Sequence, residues 1–360
     1  MFCIIAACYN PKPAMKRRLL FLCIPFAVMS YACSTDIDLY ADYKEIPIIY
    51  GILDAKADTN YVKITRLMSV EGDAYLTATN PDSSYYPGKL DVRIVEYCNG
   101  DSLREIVLDT ITIHNKEHGV FYAPDQKLYY TTERLNLNTS KDHYSYCLKV
   151  VLPDRTLVSE TKMVGSNHFN VQSLGMNFSK EYFGKSQFFL FRPAPNAGIY
   201  HVTIAFTYLE QRTPDADSVP RTMIWDKGFY YESNLTYQML NECYMFYYRP
   251  EEFYAQLKEF VGGDTVSGVR RLITDYPVEV TIDAGGMDLA QYIYFNDPSN
   301  GIPLDDNDLA LIDGGHGVFS SKMTVKHGIR LGGETVPDLL AMTNWGFKFI
   351  GGTNKDDEDY

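Results

Sequence analysis

The chain has 360 residues, of which 46% are hydrophobic and 22% charged, and its formal net charge is -13. This length is sufficient for two domains of the usual ~100–200 residues each. The acidic balance argues against nucleic acid and against anionic membrane surfaces as partners, because phosphate groups are bound by clustered Lys and Arg.

The N-terminal region carries a signal for lipid attachment. Met15 is followed by three basic residues, then by the apolar run Leu19 to Ser30, and Ala32 precedes Cys33. This order is typical of a bacterial lipoprotein signal peptide, and the apolar run is shorter than the about 20 residues of a membrane-spanning helix. We predict a translation start at Met15, removal of residues 1–32 and a lipid on Cys33. The alternative is a chance cysteine behind a simple secretory signal.

The residues after Cys33 form a short polar tether, predicted over 33–45. Acidic residues this close to a lipidated cysteine resemble the export signal of Bacteroidota outer-membrane lipoproteins. The residues of this candidate signal are Ser34, Thr35, Asp36 and Asp38. The resemblance implies an outer-membrane, lipid-anchored protein that faces the cell exterior.

Residues 46–165 follow a period of two and are predicted to form a β-sandwich of the immunoglobulin-like or transthyretin-like kind. Short runs rich in Val, Ile, Tyr and Thr are separated by Gly, Pro, Asn or Asp, as in strands. The runs are Ile46–Leu53, Asn60–Leu67, Leu90–Tyr97, Leu103–Leu108, Tyr144–Val151 and Thr156–Val164. The last two are predicted to pair as an antiparallel hairpin.

Residues 166–350 are predicted to form a second, β-rich domain with short helical insertions, after a linker at 164–175. The strand candidates are Phe188–Arg192, Tyr200–Leu209, Arg221–Trp225 and Pro277–Ile282. Pro250 followed by two acidic residues begins a predicted helix over 250–261, which Gly262 ends. A second helix is predicted at 287–295. The acidic tail, 351–360, is predicted to be solvated. The fold class predicted for the whole chain is mainly β.

The sequence carries no strong enzyme signature, so no catalytic residue, no metal site and no cofactor is predicted. It lacks the nucleophile elbow, the paired zinc histidines and the phosphate-binding loop. His114 and His118 are four apart, but their surroundings favour a loop over a metal-binding helix face. Asp305 to Asp308 resembles a calcium loop in part, but Leu309 and Ala310 stand where an oxygen ligand and a glycine are required. A glycosidase pair of carboxylates stays open, because it has no fixed spacing in sequence.

Three further cysteines remain after Cys33: Cys98, Cys147 and Cys243. A bridge between Cys98 and Cys147 is conceivable, since the first lies beside a turn and the second in a strand-like run. A domain of this size does not need one, and three buried or half-buried thiols are the simpler interpretation.

Tyrosine and phenylalanine are in excess, with 29 Tyr and 19 Phe against 2 Trp. They are densest between Phe229 and Tyr254, and one alternating strand cannot bury so many, so some are predicted to serve a protein interface or to stack on sugars. The alternative is core packing in a β protein. The candidate interface residues are Tyr230, Tyr231, Tyr244, Tyr247, Tyr248 and Tyr254.

Several short motifs resemble a family. They are Cys33–Leu39, Ile46–Asp54, Tyr61–Arg66, Pro81–Tyr86 and Gly314–Phe319. Together they are similar to uncharacterised Bacteroidota outer-membrane lipoproteins that pair an N-terminal β-sandwich with a larger β-rich domain. The resemblance implies a place beside TonB-dependent transporters or other large β-barrels, and it implies no catalytic residue. The glycines of the last motif are also explained by a tight turn, after which Val318 and Phe319 enter the core.

These observations predict a non-enzymatic accessory subunit of an outer-membrane β-barrel complex. The barrel partner is either a TonB-dependent transporter or assembly and export machinery, and the membrane is reached through the lipid, with no nucleic acid involved. Two other functions stay open. One is a surface glycan-binding or adhesion protein that uses the Tyr230 to Tyr254 region, and the other is a hydrolase whose carboxylates meet only in the fold.

Overall fold

Strands account for most of the regular structure in the computed structural model, which describes residues 45–68, 79–117, 119, 122–213, 216–262, 269–300, 311–342 and 345–350. The prediction of a mainly β fold is confirmed. The segment Thr156–Lys162 shows why the period of two is informative: its residues alternate between exposed and buried along the whole segment. Successive side chains of a strand point to opposite faces, so one face packs and the other meets water.

Eight strands and a short helix are described in the first half of the chain, and all six predicted runs are among them. The strands are β1 (Glu45–Asp54), β2 (Asn60–Met68), β3 (Asp91–Cys98), β4 (Asp101–Val107), β5 (Asp109–Ile113), β6 (Gln126–Thr131), β7 (Tyr144–Val151) and β8 (Thr156–Lys162). Helix α1 covers Pro81–Ser84. The predicted hairpin is confirmed, because β7 and β8 pair antiparallel with Val151 opposite Thr156.

The second half of the described chain contains ten strands and three helices. The strands are β9 (Gly175–Asn177), β10 (Gln187–Phe191), β11 (Ala197–Gln211), β12 (Val219–Tyr231), β13 (Thr236–Gln238), β14 (Cys243–Tyr248), β15 (Arg270–Ile273), β16 (Val278–Gly286), β17 (His316–Gly332) and β18 (Phe347–Phe349). The helices are α2 (Pro250–Phe260), α3 (Met287–Asn296) and α4 (Thr335–Ala341). Short 3-10 turns lie at Lys180–Tyr182, Glu232–Asn234 and Pro298–Asn300. Both predicted helices are confirmed.

The largest sheet contains strands from both halves of the chain. Its 11 strands run in the order β18-β15-β11-β16-β17-β1-β2-β6-β5, with β12 paired to β11 and β9 to β17. Strands β1 and β17 join the halves as a parallel pair in which Ile49 lies opposite Gly317. Two smaller sheets have the orders β4-β3-β7-β8 and β10-β14-β13. The first half therefore shares a hydrogen-bonded sheet with the second.

Two hydrophobic cores form on this sheet. The first lies between β1, β2 and β6 of the large sheet and the sheet of β3, β4, β7 and β8, which makes the N-terminal part a two-layer sandwich. The second packs β11, β16 and β17 against the sheet of β10 and β14 and against helix α2. Strand β17 serves both cores, since Phe319 belongs to the first and Met323 and Val325 to the second.

The stretch predicted as a linker, 164–175, is part of the second core. Val164, Phe169 and Val171 are buried there. The side-chain amide of Asn138 donates to the carbonyl oxygens of Met163 and Gly165 and so fixes the start of the stretch. The Gly, Ser and Asn residues of this stretch predicted a linker. The stretch belongs to the core instead, because the apolar residues between those polar residues pack into it. The domain boundary at 165 stays a prediction.

Candidate functional site

Three of the six tyrosines predicted for an interface are core residues. Tyr244, Tyr248 and Tyr254 are buried in the second core, and for them the interface prediction is wrong. For Tyr244 and Tyr248 the physical reason is the partner sheet: alternate residues of β10 and β14 face β11, and their rings pack together. Tyr254 is buried because helix α2, which carries it, packs against the same core. Phe191, for example, lies 5.6 Å from Tyr244 between ring centroids. The alternative interpretation, aromatic core packing, applies to these three residues.

The opposite face of the small sheet is apolar and exposed. Phe188 and Tyr247 are cross-strand partners whose ring centroids are 6.0 Å apart, and both are nearly half exposed. Leu190 and Met245 form the next pair on the same face, with the Tyr247 hydroxyl 3.7 Å from the Met245 sulfur. We call these four residues the outer sheet face. Tyr247 is thus the predicted interface tyrosine that this face presents to solvent.

The turn between β13 and β14 exposes two further large apolar residues. Met239 is 85% exposed and Leu240 is 88% exposed. The turn is held by a bond from the backbone N–H of Glu242 to the Met239 carbonyl and by positive φ at Glu242. Two adjacent apolar side chains at the tip of a hydrogen-bonded hairpin are costly to leave in water and are typical of contact sites. We call Met239 and Leu240 the hairpin tip.

A groove of about 590 Å³ lies between helix α3 and the turn that follows β12. Its aromatic wall contains Tyr231 and Tyr294, whose ring centroids are 5.9 Å apart in an edge-to-face arrangement. The other lining residues are Gly198, Glu232, Ser233, Asn234, Met287, Ala290, Gln291 and Phe295. Aromatic faces beside amide and hydroxyl groups suit a ligand that is partly apolar and partly hydrogen-bonding. Tyr230 lies outside this lining and packs edge-to-face on Phe246.

An acidic cleft of about 520 Å³ adjoins the groove and shares Glu232 and Met287 with it. Its walls come from both halves of the chain, with Ser145, Glu160, Thr161 and Lys162 on β7 and β8 facing Asn196, Ala197, Glu232, Met287 and Asp288. Tyr244 donates a 2.6 Å hydrogen bond to Glu232 from the core side. Burial raises the pKa of Asp288, and a hydrogen bond with Thr161 opposes that rise. The cleft thus contains three carboxyl groups, those of Glu160, Glu232 and Asp288.

Helix α3 is held on the face of the large sheet opposite to the cores. Small residues let it approach: a Cβ at Gly198 would lie 3.0 Å from Met287 Cα, and one at Gly285 would lie 2.8 Å from Leu289 Cδ2. The hydroxyl of Tyr292 on this helix lies 3.1 Å from the hydroxyl of Tyr50 on β1. Burial and this hydrogen bond raise the pKa of Tyr292 to about 12.

Of the residues that line the groove, Tyr231 was a candidate from the sequence, whereas the lining residues on α3 were not identified, although α3 itself was predicted. Met287 and Tyr294 are more than two-fifths exposed on a helix whose apolar residues recur at mixed spacing. That mixed spacing is the signal, because a helix packed on one side needs only one apolar stripe. The apolar residues of α3 that lie outside the stripe packed on the sheet, such as Met287 and Tyr294, therefore line the groove.

The remaining candidates have plain structural explanations. His114 Nδ1 lies 2.5 Å from Asp125 in an exposed pair, while His118 is outside the described residues. Cys98, Cys147 and Cys243 are free thiols, so Cys98 and Cys147 are not bridged. Within the described ranges no group of three or more His, Cys, Asp or Glu side chains is arranged to hold a metal ion.

The predicted lipidation site and the calcium-like segment both lie outside the described residues. The first comprises Cys33 with Ser34, Thr35, Asp36 and Asp38, and the second Asp305 to Asp308. In the part of the chain that the structure covers, no helix combines the length and the apolar character needed to cross a bilayer.

Comparison with known proteins found no match for this chain among protein-family models or among curated proteins. The fold and the site thus define a mainly β protein with an exposed apolar face, an aromatic groove and an adjoining acidic cleft.

Proposed function

We propose that this protein is a non-enzymatic, lipid-anchored accessory protein that docks onto an outer-membrane β-barrel partner through the outer sheet face and the hairpin tip. The observation that carries the proposal is the exposure of Met239 and Leu240 on the hydrogen-bonded turn that leads into β14, the strand whose outer face presents Tyr247 with its exposed partner Phe188. Exposed apolar patches that include aromatic and Met side chains mark protein interfaces.

The predicted tether supports a partner in the same membrane. Residues 33–44 precede β1, and 12 residues reach at most about 40 Å when extended. A lipid on Cys33 keeps the folded body within that distance of the membrane surface. Proteins with parts at that surface, such as a transporter or an export barrel, then meet the apolar face at high local concentration.

The anchor is tested first, because the proposal depends on it. The wild-type chain expressed in its native host should incorporate radiolabelled palmitate and fractionate with the outer membrane. A Cys33→Ser chain should incorporate none and leave that fraction. Palmitate on the Cys33→Ser chain, or an unmodified wild-type chain, would remove the tether from the proposal.

The docking surface is tested by affinity purification of the tagged protein from outer membranes in mild detergent. Met239→Asp with Leu240→Asp should abolish recovery of the barrel partner, because two charges would have to be buried at the contact. Leu103→Asp is the matched control, since Leu103 is an exposed leucine on β4, in the sheet that covers the first core. Recovery of no barrel protein with wild type, or equal recovery with the double variant, would contradict the proposal.

A second candidate function is glycan binding in the groove, and the aromatic wall of Tyr231 and Tyr294 favours it. Sugars stack on such rings while amides and carboxylates bind their hydroxyl groups. A glycan array probed with wild type and with Tyr294→Ala tests this function, and binding that survives the substitution would contradict it.

The adjoining carboxylates require a hydrolysis control on any glycan that binds. A glycosidase needs one carboxyl group with a raised pKa beside a second carboxylate. Glu160, Glu232 and Asp288 line the cleft. Release of reducing sugar by wild type but not by Asp288→Asn would assign an enzyme, whereas intact glycan recovered after incubation would leave the groove a binding site.

A further inference from the structure

A third cavity lies at the opposite end of strand β11 from the groove. It has a volume of about 330 Å³, and its lining includes Tyr208, Glu210, Arg212, Arg221, Phe260 and Arg271. Tyr208 and Arg221 are cross-strand partners on β11 and β12, and Glu210 and Arg271 are partners on β11 and β15. Phe260, the last residue of helix α2, closes one side of the cavity. The chemistry of this cavity therefore comes from rigid elements.

Arg271 is the residue that distinguishes the cavity from an ordinary surface cleft. Its side chain is 5% exposed, and one guanidinium N–H donates a 2.5 Å bond to the carbonyl of Trp345. Among the residues that the structure describes, its Nε has no hydrogen-bond partner, and a carboxylate oxygen of Glu210 is 3.6 Å away. A buried guanidinium that keeps an unused donor is unusual, because the lost hydration has no replacement.

The described residues that line the cavity also carry more positive charge than Glu210, the single carboxylate among them, balances. Glu210 faces two guanidinium groups, with Arg212 Nε at 3.5 Å and Arg271 Nε at 3.6 Å. Arg221 lies over the Phe260 ring at 5.9 Å, and no ion pair is found for it within the described residues. Three arginines against one glutamate leave an excess of positive charge in a chain whose net charge is -13.

We propose that this cavity binds a small organic oxyanion, with its carboxylate or phosphate group on the arginines and an apolar body against Phe260 and Tyr208. Guanidinium groups present paired N–H donors that match the two oxygens of a carboxylate or the oxygens of a phosphate. The volume fits a small molecule. The site is separate from the groove and from the docking surface, so it does not depend on the function proposed above.

Calorimetric titration of the folded chain tests the site with three probes: inorganic phosphate, acetate and benzoate, each at constant ionic strength. We expect saturable binding, with benzoate bound more tightly than acetate because its ring covers Phe260. Phosphate binding without carboxylate binding would narrow the ligand to a phosphate ester. The absence of saturable binding by all three probes would overturn the proposal.

Two variants separate the cavity from general surface charge. Arg221→Gln removes an exposed arginine of the cavity without disturbing the buried Arg271, and it should weaken binding about ten-fold, as expected for a charge-assisted hydrogen bond. Arg249→Gln removes another exposed arginine, which does not line the cavity, and should leave the affinity unchanged. Equal affinities of wild type and Arg221→Gln, or equal weakening by both substitutions, would count against the site.

Discussion

Gly317 occupies a position that no other residue type fits, and this leads to a first prediction. Its φ is +103°, and a Cβ built there would overlap the carbonyl of Ile49 on the paired strand β1. Gly317→Ala therefore combines backbone strain with a clash against main chain. We expect the free energy of unfolding to fall by about 3–4 kcal/mol, measured by urea denaturation.

Gly88 provides the matched control for that substitution. Its φ is also positive, at +75°, but no atom lies within 4 Å of an added Cβ. Gly88→Ala should cost only the backbone strain, about 1 kcal/mol. If both substitutions lowered the free energy of unfolding equally, the close contact between Gly317 and Ile49 would add no cost beyond the backbone strain.

Glu96 is a fully buried carboxylate whose charge is compensated by neighbours. Tyr146 donates a 2.5 Å hydrogen bond to it, Asn136 donates from backbone and side chain, and Arg104 Nε lies at 2.5 Å. Burial alone would raise the pKa of Glu96, but the bonds from Tyr146, Arg104 and Asn136 hold it below its ordinary value. The charged form is therefore the stabilised one.

The lowered pKa of Glu96 sets the direction of a pH prediction. Its contribution to stability is present above the unfolded-state pKa of about 4.3 and is lost as pH falls through the lower folded-state value. Glu96→Gln should lower the free energy of unfolding by about 2–3 kcal/mol at pH 7, and the deficit should shrink at acid pH. Urea denaturation across this pH range measures it. The control is Glu133→Gln, the exposed partner of Arg104, which should change little; a deficit independent of pH would contradict the assignment.

Residue type alone predicted some of these roles and missed others. The glycines before Val318 were expected to form a tight turn, and Gly314 and Gly317 have positive φ. The burial of Tyr244 and Tyr248 was not predictable, because an aromatic residue in a strand looks the same whether its face meets a second layer or water. Only the packing of β14 over β11 distinguishes the two faces.

At the scale of elements, the groove depends on how closely helix α3 sits on the sheet. A Cβ at Gly198 would meet Met287 Sδ at 2.5 Å, Met287 Cα at 3.0 Å and Ala290 Cβ at 3.1 Å. Gly198→Ala should push the helix outward, lower stability by about 1–3 kcal/mol and change the affinity of any glycan found for the groove. Thermal unfolding and the array measure these two effects.

Gly119→Ala is the control for the helix prediction, because Gly119 is exposed and an added Cβ there meets no atom of the described residues within 4 Å. It should change neither stability nor binding. A Gly198→Ala protein with unaltered stability would show that α3 accommodates the methyl group without moving, so the groove would not depend on this contact.

Strand β17 shows why some elements escape prediction from the sequence. Val318, Phe319, Ser320 and Ser321 are all buried, so the strand has no alternation at its start. A strand covered on both faces loses the period of two that revealed β1 and β8. Helix α3 covers one face of this sheet region and the sandwich core the other. The pairing of β17 with β1 is a long-range contact, for which the local pattern carries no signal.

At the scale of the whole molecule, the shared strand predicts that the two cores unfold together. Phe319 is buried in the first core, whereas Trp225 and Trp345, the two tryptophans of the chain, belong to or pack against the second. Phe319→Ala should destabilise by about 3–4 kcal/mol, and because β17 spans both cores, the tryptophan fluorescence midpoint in urea should shift with that of circular dichroism. Phe206→Ala, in the second core, is the reference for a full shift. If Phe319→Ala left the fluorescence midpoint unchanged, the cores would be independent folding units despite their common sheet, and the predicted boundary near residue 165 would be a true domain boundary.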